Sequence, residues 1–153
     1  MAARSAGIVL HRRRGDALEV LLVHPGGPLW SHRDAGAWSI PKGECGPDED
    51  PLTAALREFE EELGVQPPDG EPASLGEAVQ KSGKVVQAWA LAGDLDLAVV
   101  HSNTFTLEWP PRSGKLREFP EVDRAQWFGL ARAKGKINPA QITLLDRLGA
   151  LLP

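Results

Sequence analysis

Apolar positions along the chain fall into two periods. Gly7 to His11 (GIVLH) and Leu18 to His24 (LEVLLVH) are short, nearly continuous apolar runs. Arg12-Arg13-Arg14-Gly15-Asp16 separates them, and a Gly-Asp turn between such runs predicts a β-hairpin. The arginines would then form a charged tip, solvated or available to a nucleotide. Trp38 to Lys42 (WSIPK) predicts a short strand, preceded by a polar Gly/Pro-rich loop from Pro25 to Gly36. The period then changes. Leu52, Ala55, Leu56, Phe59 and Leu63 recur at helical spacing and make one apolar stripe. Asp50 is a suitable N-cap, Pro51 suits the first helical position and Gly64 is a natural stop.

Strand periods return after a turn-rich connector, Gln66 to Pro72. Ala73 to Gln80 and Val85 to Ala92 are joined by Lys81-Ser82-Gly83-Lys84, a second hairpin signal. Residues 85–92 are apolar on both faces, which predicts a central, buried strand. Leu97 to Val100 reads as a strand or a short connection, and Asn103 to Trp109 as a strand. Pro110 to Pro120 reads as a mobile basic loop. Leu130 to Lys134 is a short helical segment. Asn138-Pro139 then opens a final helix whose apolar face is Ile142, Leu145, Leu148 and Leu152. Strands, helix, strands and helix in that order predict one mixed α/β domain over residues 1–153, not regular βαβ alternation.

Composition narrows the class. A chain of 153 residues with 42 % hydrophobic residues can bury one substantial core. A net charge of −4 supplies no basic footprint for nonspecific nucleic-acid binding. A phosphate-bearing ligand would need a local cluster of cations instead. The single cysteine, Cys45, allows no internal disulfide and points to a cytoplasmic location. His11, His24, His32 and His101 show no metal-ligand spacing. No apolar run predicts a membrane span, and the N-terminus lacks the apolar segment of a signal peptide. Oligomeric state is left open.

The helix at 51–63 has its charges at the wrong end. Glu58, Glu61 and Glu62 stand at i, i+3 and i+4 on one arc. They occupy the last turns, where the helix dipole disfavours carboxylates by about 0.3–1 kcal/mol each. Like-charged neighbours at this spacing add about 0.2–0.5 kcal/mol. A solvated acidic face that tolerates the cost is one reading. A divalent cation docked among the glutamates is the other, and hard oxygen ligands suit Mg²⁺ or Mn²⁺.

The residues around this arc resemble the signature of the Nudix hydrolase family. Gly43 is followed, at the family's intervals, by Glu49, Arg57-Glu58, Phe59, Glu61-Glu62, Gly64 and Val65. Every specified position matches without a gap. The resemblance implies an α/β/α sandwich with a mixed β-sheet. It implies a divalent-metal hydrolase acting on a nucleoside diphosphate linked to another group, by water attack at phosphorus. Glu61 and Glu62 would be metal ligands, Glu58 a ligand or the base, and the backbone carbonyl of Gly43 or Lys42 a further ligand. Arg57 would pair with Glu49 to hold the loop against the helix; a local ion pair with Glu61 is its alternative. Arg124 to Phe128 resembles the late strand before the final helix, with Trp127 and Phe128 in the core.

Other site residues are placed more loosely. Lys42, next to Gly43, would meet phosphate, and His32 or Arg33 in the preceding loop would contact phosphate or base. Lys115 and Arg117 would grip distal phosphates. Many family members draw a further carboxylate from a downstream loop; Glu118 is the first candidate here and Glu121 the second. The run Trp38-Ser39-Ile40-Pro41-Lys42-Gly43 looks more like members acting on dinucleoside polyphosphates or diphosphoinositols than like those that clean oxidised nucleotides. A non-catalytic nucleotide-binding module of the same fold is the remaining alternative.

Overall fold

The two N-terminal apolar runs form the middle of the sheet. The computed structural model describes residues 4–152. In chain order these contain β1 (Arg4–Arg14), β2 (Ala17–Pro25), β3 (Lys42–Glu44), α1 (Pro51–Leu63), β4 (Ala73–Val79) and β5 (Val85–Ala92). They continue with β6 (Thr104–Glu108), β7 (Leu116–Pro120), β8 (Val122–Gly129), α2 (Leu130–Lys136) and α3 (Ile142–Leu151). The main sheet has the order β4-β5-β1-β2-β8, and β3 pairs with the start of β1. The β1–β5 pairing is parallel and the others are antiparallel, so the sheet is mixed.

Both faces of this sheet are covered, which is why β1 and β2 read as continuous apolar runs. Ile8, Leu10, Leu21 and Val23 point to α1 and pack on Ala54, Ala55, Phe59 and Leu63. Val9, Val20 and Leu22 point the other way, onto Phe128, Leu144, Leu145 and Leu148. The result is helix, sheet, helix in three layers, with α1 alone on one side. Ala54 joins Ala55 on the buried face of α1, whereas Leu52 is only half-buried. Two alanines let the helix lie close to the sheet.

Several boundaries differ from the sequence reading. Trp38 and Ser39 make only isolated bridges, and the strand proper starts at Lys42. Pro41 cannot donate to a ladder, so pairing begins beyond it. Leu97–Val99 is a 3-10 turn capped by Asp96. Residues 116–120, expected as loop, are β7, paired with β6 in a separate two-stranded sheet. A 3-10 turn at Pro139–Gln141 precedes α3, with the Asn138 side chain as its cap. Arg12 is not free for a ligand: it pairs with Glu19 (2.9 Å) and Asp94 (2.7 Å) and lies over the Trp127 ring. No described helix is long and apolar enough to cross a membrane. The stretch read for a signal peptide begins outside the described residues.

Candidate active site

The scaffold of the site is α1 and the short strand before it. Asp50 caps the helix by accepting from the Thr53 N–H at 3.0 Å. Gly64 ends it in a left-handed conformation, φ 72°, and donates to the Glu60 carbonyl. A side chain at Gly64 would also collide with the His101 carbonyl. β3 approaches β1 at Gly7, where a Cβ would crowd Pro41 and Lys42. That contact holds Lys42 and Gly43 beside α1. At Gly43 a Cβ would overlap the Glu58 carboxylate, so glycine lets that carboxylate lie against β3, and any side chain here would push it aside.

Arg57 ties loop and helix together. Its Nε and Nη2 donate to Glu49 at 2.8 and 2.9 Å, a bidentate fork. Nη2 also reaches the Glu44 carbonyl (3.2 Å), and Nη1 donates to Glu58 (2.9 Å) and Glu61 (3.1 Å). The two readings of Arg57 are therefore both realised. The fork, joined by the Gly46 N–H, holds the Glu49 carboxyl below the usual carboxylate range. Cys45 in the same loop is half-buried, with its thiol directed at the Gly46 and Glu49 carbonyls.

Three carboxylates act on one another. Burial pushes the Glu62 carboxyl up to about 8; Glu58 and Glu121 push the same way, against the Lys42 ammonium and a Lys42 backbone hydrogen bond. Glu58 is raised by burial, against Arg57, and Glu61 and Glu121 add to the rise. Lys42 is depressed by burial and by Lys84, with Glu62 and Glu58 opposing. Of the two downstream glutamates, Glu121 is the one whose charge acts on Glu58 and Glu62. Glu118 pairs with Thr106, whereas Phe105 pairs with Phe119. Alternation therefore puts Glu118 on the face opposite Phe105, Leu107 and Phe119. Glu121 follows the end of β7, where a run of backbone bonds sets its place. His101 N–H donates to the Leu63 carbonyl (2.7 Å), Glu121 N–H to Asn103 (2.8 Å) and Gly26 N–H to Glu121 (3.0 Å).

These donors fit a hard divalent cation. They are carboxylate oxygens, partly desolvated, mutually repelling and only partly compensated by Lys42 and Arg57. Among the described residues no three His, Cys, Asp or Glu side chains already stand in a coordinating arrangement. Arg57 draws Glu58 and Glu61 towards itself.

The NUDIX domain family model matches residues 1–148. The chain belongs to the Nudix family. A bis(5'-nucleosyl)-tetraphosphatase [asymmetrical] of Caenorhabditis elegans is 35 % identical over 65 residues, 42 % of this chain. That match spans under half, 43 %, of the relative's length. The crystal structure of a C. elegans Ap4A hydrolase binary complex superposes with a TM-score of 0.65 at 22 % identity, covering 99 % of this chain and 98 % of that one. The NUDIX domain of Shewanella oneidensis NrtR, complexed with ADP ribose, gives 0.65 at 17 % identity, over 100 % and 90 % of the two chains. These superpositions share the fold.

The other residues expected to meet substrate lie in two further segments. Lys115 and Arg117 stand exposed on the β6–β7 hairpin, and Arg117 shares the Leu107 face. Arg33 is exposed, 5.5 Å from the Trp30 ring; His32 is exposed beside it. Sequence reasoning missed the residue that holds this loop. His24 is fully buried. Its Nε2 donates to the Arg33 carbonyl at 2.6 Å, and Nδ1 stands 2.7 Å from Asp123. Its ring packs edge-on against Trp38, whose Nε1 donates to Asp34 at 2.8 Å. A β-bulge at His24/Pro25, opposite Asp123, turns the chain out of the sheet here. A histidine closing an apolar strand was the only available signal.

Proposed function

We propose that this Nudix protein hydrolyses a phosphoanhydride bond in a nucleoside diphosphate linked to another group, a dinucleoside polyphosphate being the favoured class. The carrying observation is the convergence of half-buried Glu58 and Glu62 beside Lys42, with the charge of the exposed Glu121 acting on both glutamates. In this reading Glu58, Glu61, Glu62 and the Gly43 carbonyl hold Mg²⁺, with Mn²⁺ as substitute. The bound cation supplies charge neutralisation at the phosphate oxygens and acidifies a water. Lys42 meets a phosphate oxygen. Glu58, whose proton affinity is raised, or Glu121 accepts the water proton. Arg57 and Glu49 keep the loop against the helix. The products are a nucleoside monophosphate and the remaining phosphorylated group. The tetraphosphatase named above supports this substrate class, and the lone cysteine a cytoplasmic setting.

The exposed Lys115 and Arg117 favour a second reading, a diphosphoinositol polyphosphate as substrate. Mass-spectrometric products from the two classes separate them. Glu62→Gln and Glu61→Gln test the metal assignment: each should lose most turnover while keeping its circular-dichroism spectrum. Wild-type turnover in either variant at saturating Mg²⁺ would refute it.

A further inference from the structure

Next to the carboxylates lies a pocket of different chemistry. Its volume is about 310 Å³, the small end of the range for organic ligands. The loop after β2 contributes Leu29 and Trp30 to its lining, β6 contributes Phe105 and Leu107, and Glu121 lines it as well. Trp30 is 40 % exposed and Leu29 65 %. No Lys, Arg or His is among the residues that line it.

Resting on the hydrolase reading, the geometry points to this pocket as the seat of the substrate's nucleobase, with Trp30 as its stacking surface. An aromatic and aliphatic slot suits a neutral planar ring, because every base presents a π-face. The lining itself offers no cation to hold a phosphate chain or an inositol polyphosphate; Arg33 beside Trp30 and Arg117 opposite Leu107 flank it without lining it. Glu121 supplies continuity: it lines the pocket and also acts on Glu58 and Glu62. A base seated here therefore directs its ribose phosphate towards those glutamates. The walls are held in advance. Gly26 N–H is bonded to the Glu121 carbonyl. A Cβ at Gly27 would meet the Phe105 ring at 2.8 Å, and Phe105 packs on Phe119 with centroids 6.0 Å apart. Such preorganisation lowers the ordering cost of binding.

Two measurements on the full chain test this. The first is steady-state kinetics of wild type, Trp30→Ala and Trp30→Phe on diadenosine tetraphosphate and other nucleotides. Trp30→Ala should raise KM about tenfold or more, with the larger share of the effect in KM and substantial rescue by Trp30→Phe. The second is saturation-transfer NMR with adenosine, guanosine, cytidine and uridine, without metal. At least one nucleoside should bind wild type and be lost in Trp30→Ala. A wild-type KM in Trp30→Ala for every nucleotide cleaved overturns the inference, and so does failure of all four nucleosides to bind. If wild type cleaves no phosphoanhydride but still binds a nucleoside through Trp30, the hydrolase reading falls and the pocket stands. Turnover without nucleoside binding gives the reverse.

Discussion

Glu62 shows how a single carboxyl reports its surroundings. Its ordinary value is 4.5, and burial raises it to about 8 in the folded protein. Between those values the native state keeps a proton that the unfolded chain has lost. Stability must therefore fall as pH rises through that interval. The metal-free protein should melt at progressively lower temperature from the acid to the alkaline end. Mg²⁺, by binding only the folded state, should raise the melting temperature most at the alkaline end. Differential scanning fluorimetry over pH and Mg²⁺ reads both trends, and a melting temperature indifferent to Mg²⁺ throughout would count against the site. The spacing of Glu58, Glu61 and Glu62 was readable directly, since i, i+3 and i+4 on a helix share an arc wherever the helix goes. Burial of Glu62 was not readable, because it depends on how β3 and the rest of the fold pack against the end of α1.

Between elements, the contact of β3 with α1 matters most. Asp50, Pro51 and Gly64 delimit α1 by local chemistry, and the structure places its ends there. β3 and β7 have no comparable local signal. β3 exists through its pairing with β1, and β7 through its pairing with β6. Their sequences, Lys-Gly-Glu and Leu-Arg-Glu-Phe-Pro, are polar enough to pass for loops. Gly43→Ala tests the β3–α1 approach. The added methyl would overlap the Glu58 carboxylate and displace it. A misplacement of that order should lower kcat/KM by about 100-fold, with far-UV circular dichroism retained. Activity close to wild type would mean that Glu58 has room to move without consequence.

Across the whole molecule, the site is assembled from segments far apart in the chain. The end of α1 binds residue 101, residue 103 binds Glu121, and Glu121 binds Gly26. His24 closes the circuit by fastening the loop after β2 to Asp123 on β8. His24→Ala leaves the part-buried bond to the Arg33 carbonyl and the Asp123 contact unmade. It should cost about 1–3 kcal/mol and raise KM by loosening Trp30, measurable as a lower denaturation midpoint together with weaker substrate saturation. An unchanged midpoint would show that the loop is held by other contacts.

The chain's order of residues was enough for the family signature, the limits of α1, the Arg57–Glu49 pairing and the mixed α/β class. The limits of α1 and the fold class follow from short-range spacing, because capping, helical periodicity and hairpin turns act over a few residues, whereas the Arg57–Glu49 pairing came from the family resemblance. Folding in three dimensions set which downstream glutamate acts on the carboxylates of α1, the half-buried place of Lys42 beside them, and where an apolar pocket opens. Those depend on strand register, where one residue's shift turns a side chain to the opposite face. The pairing of Phe105 with Phe119 sends Glu118 outward, and the backbone bonds after β7 bring Glu121 in.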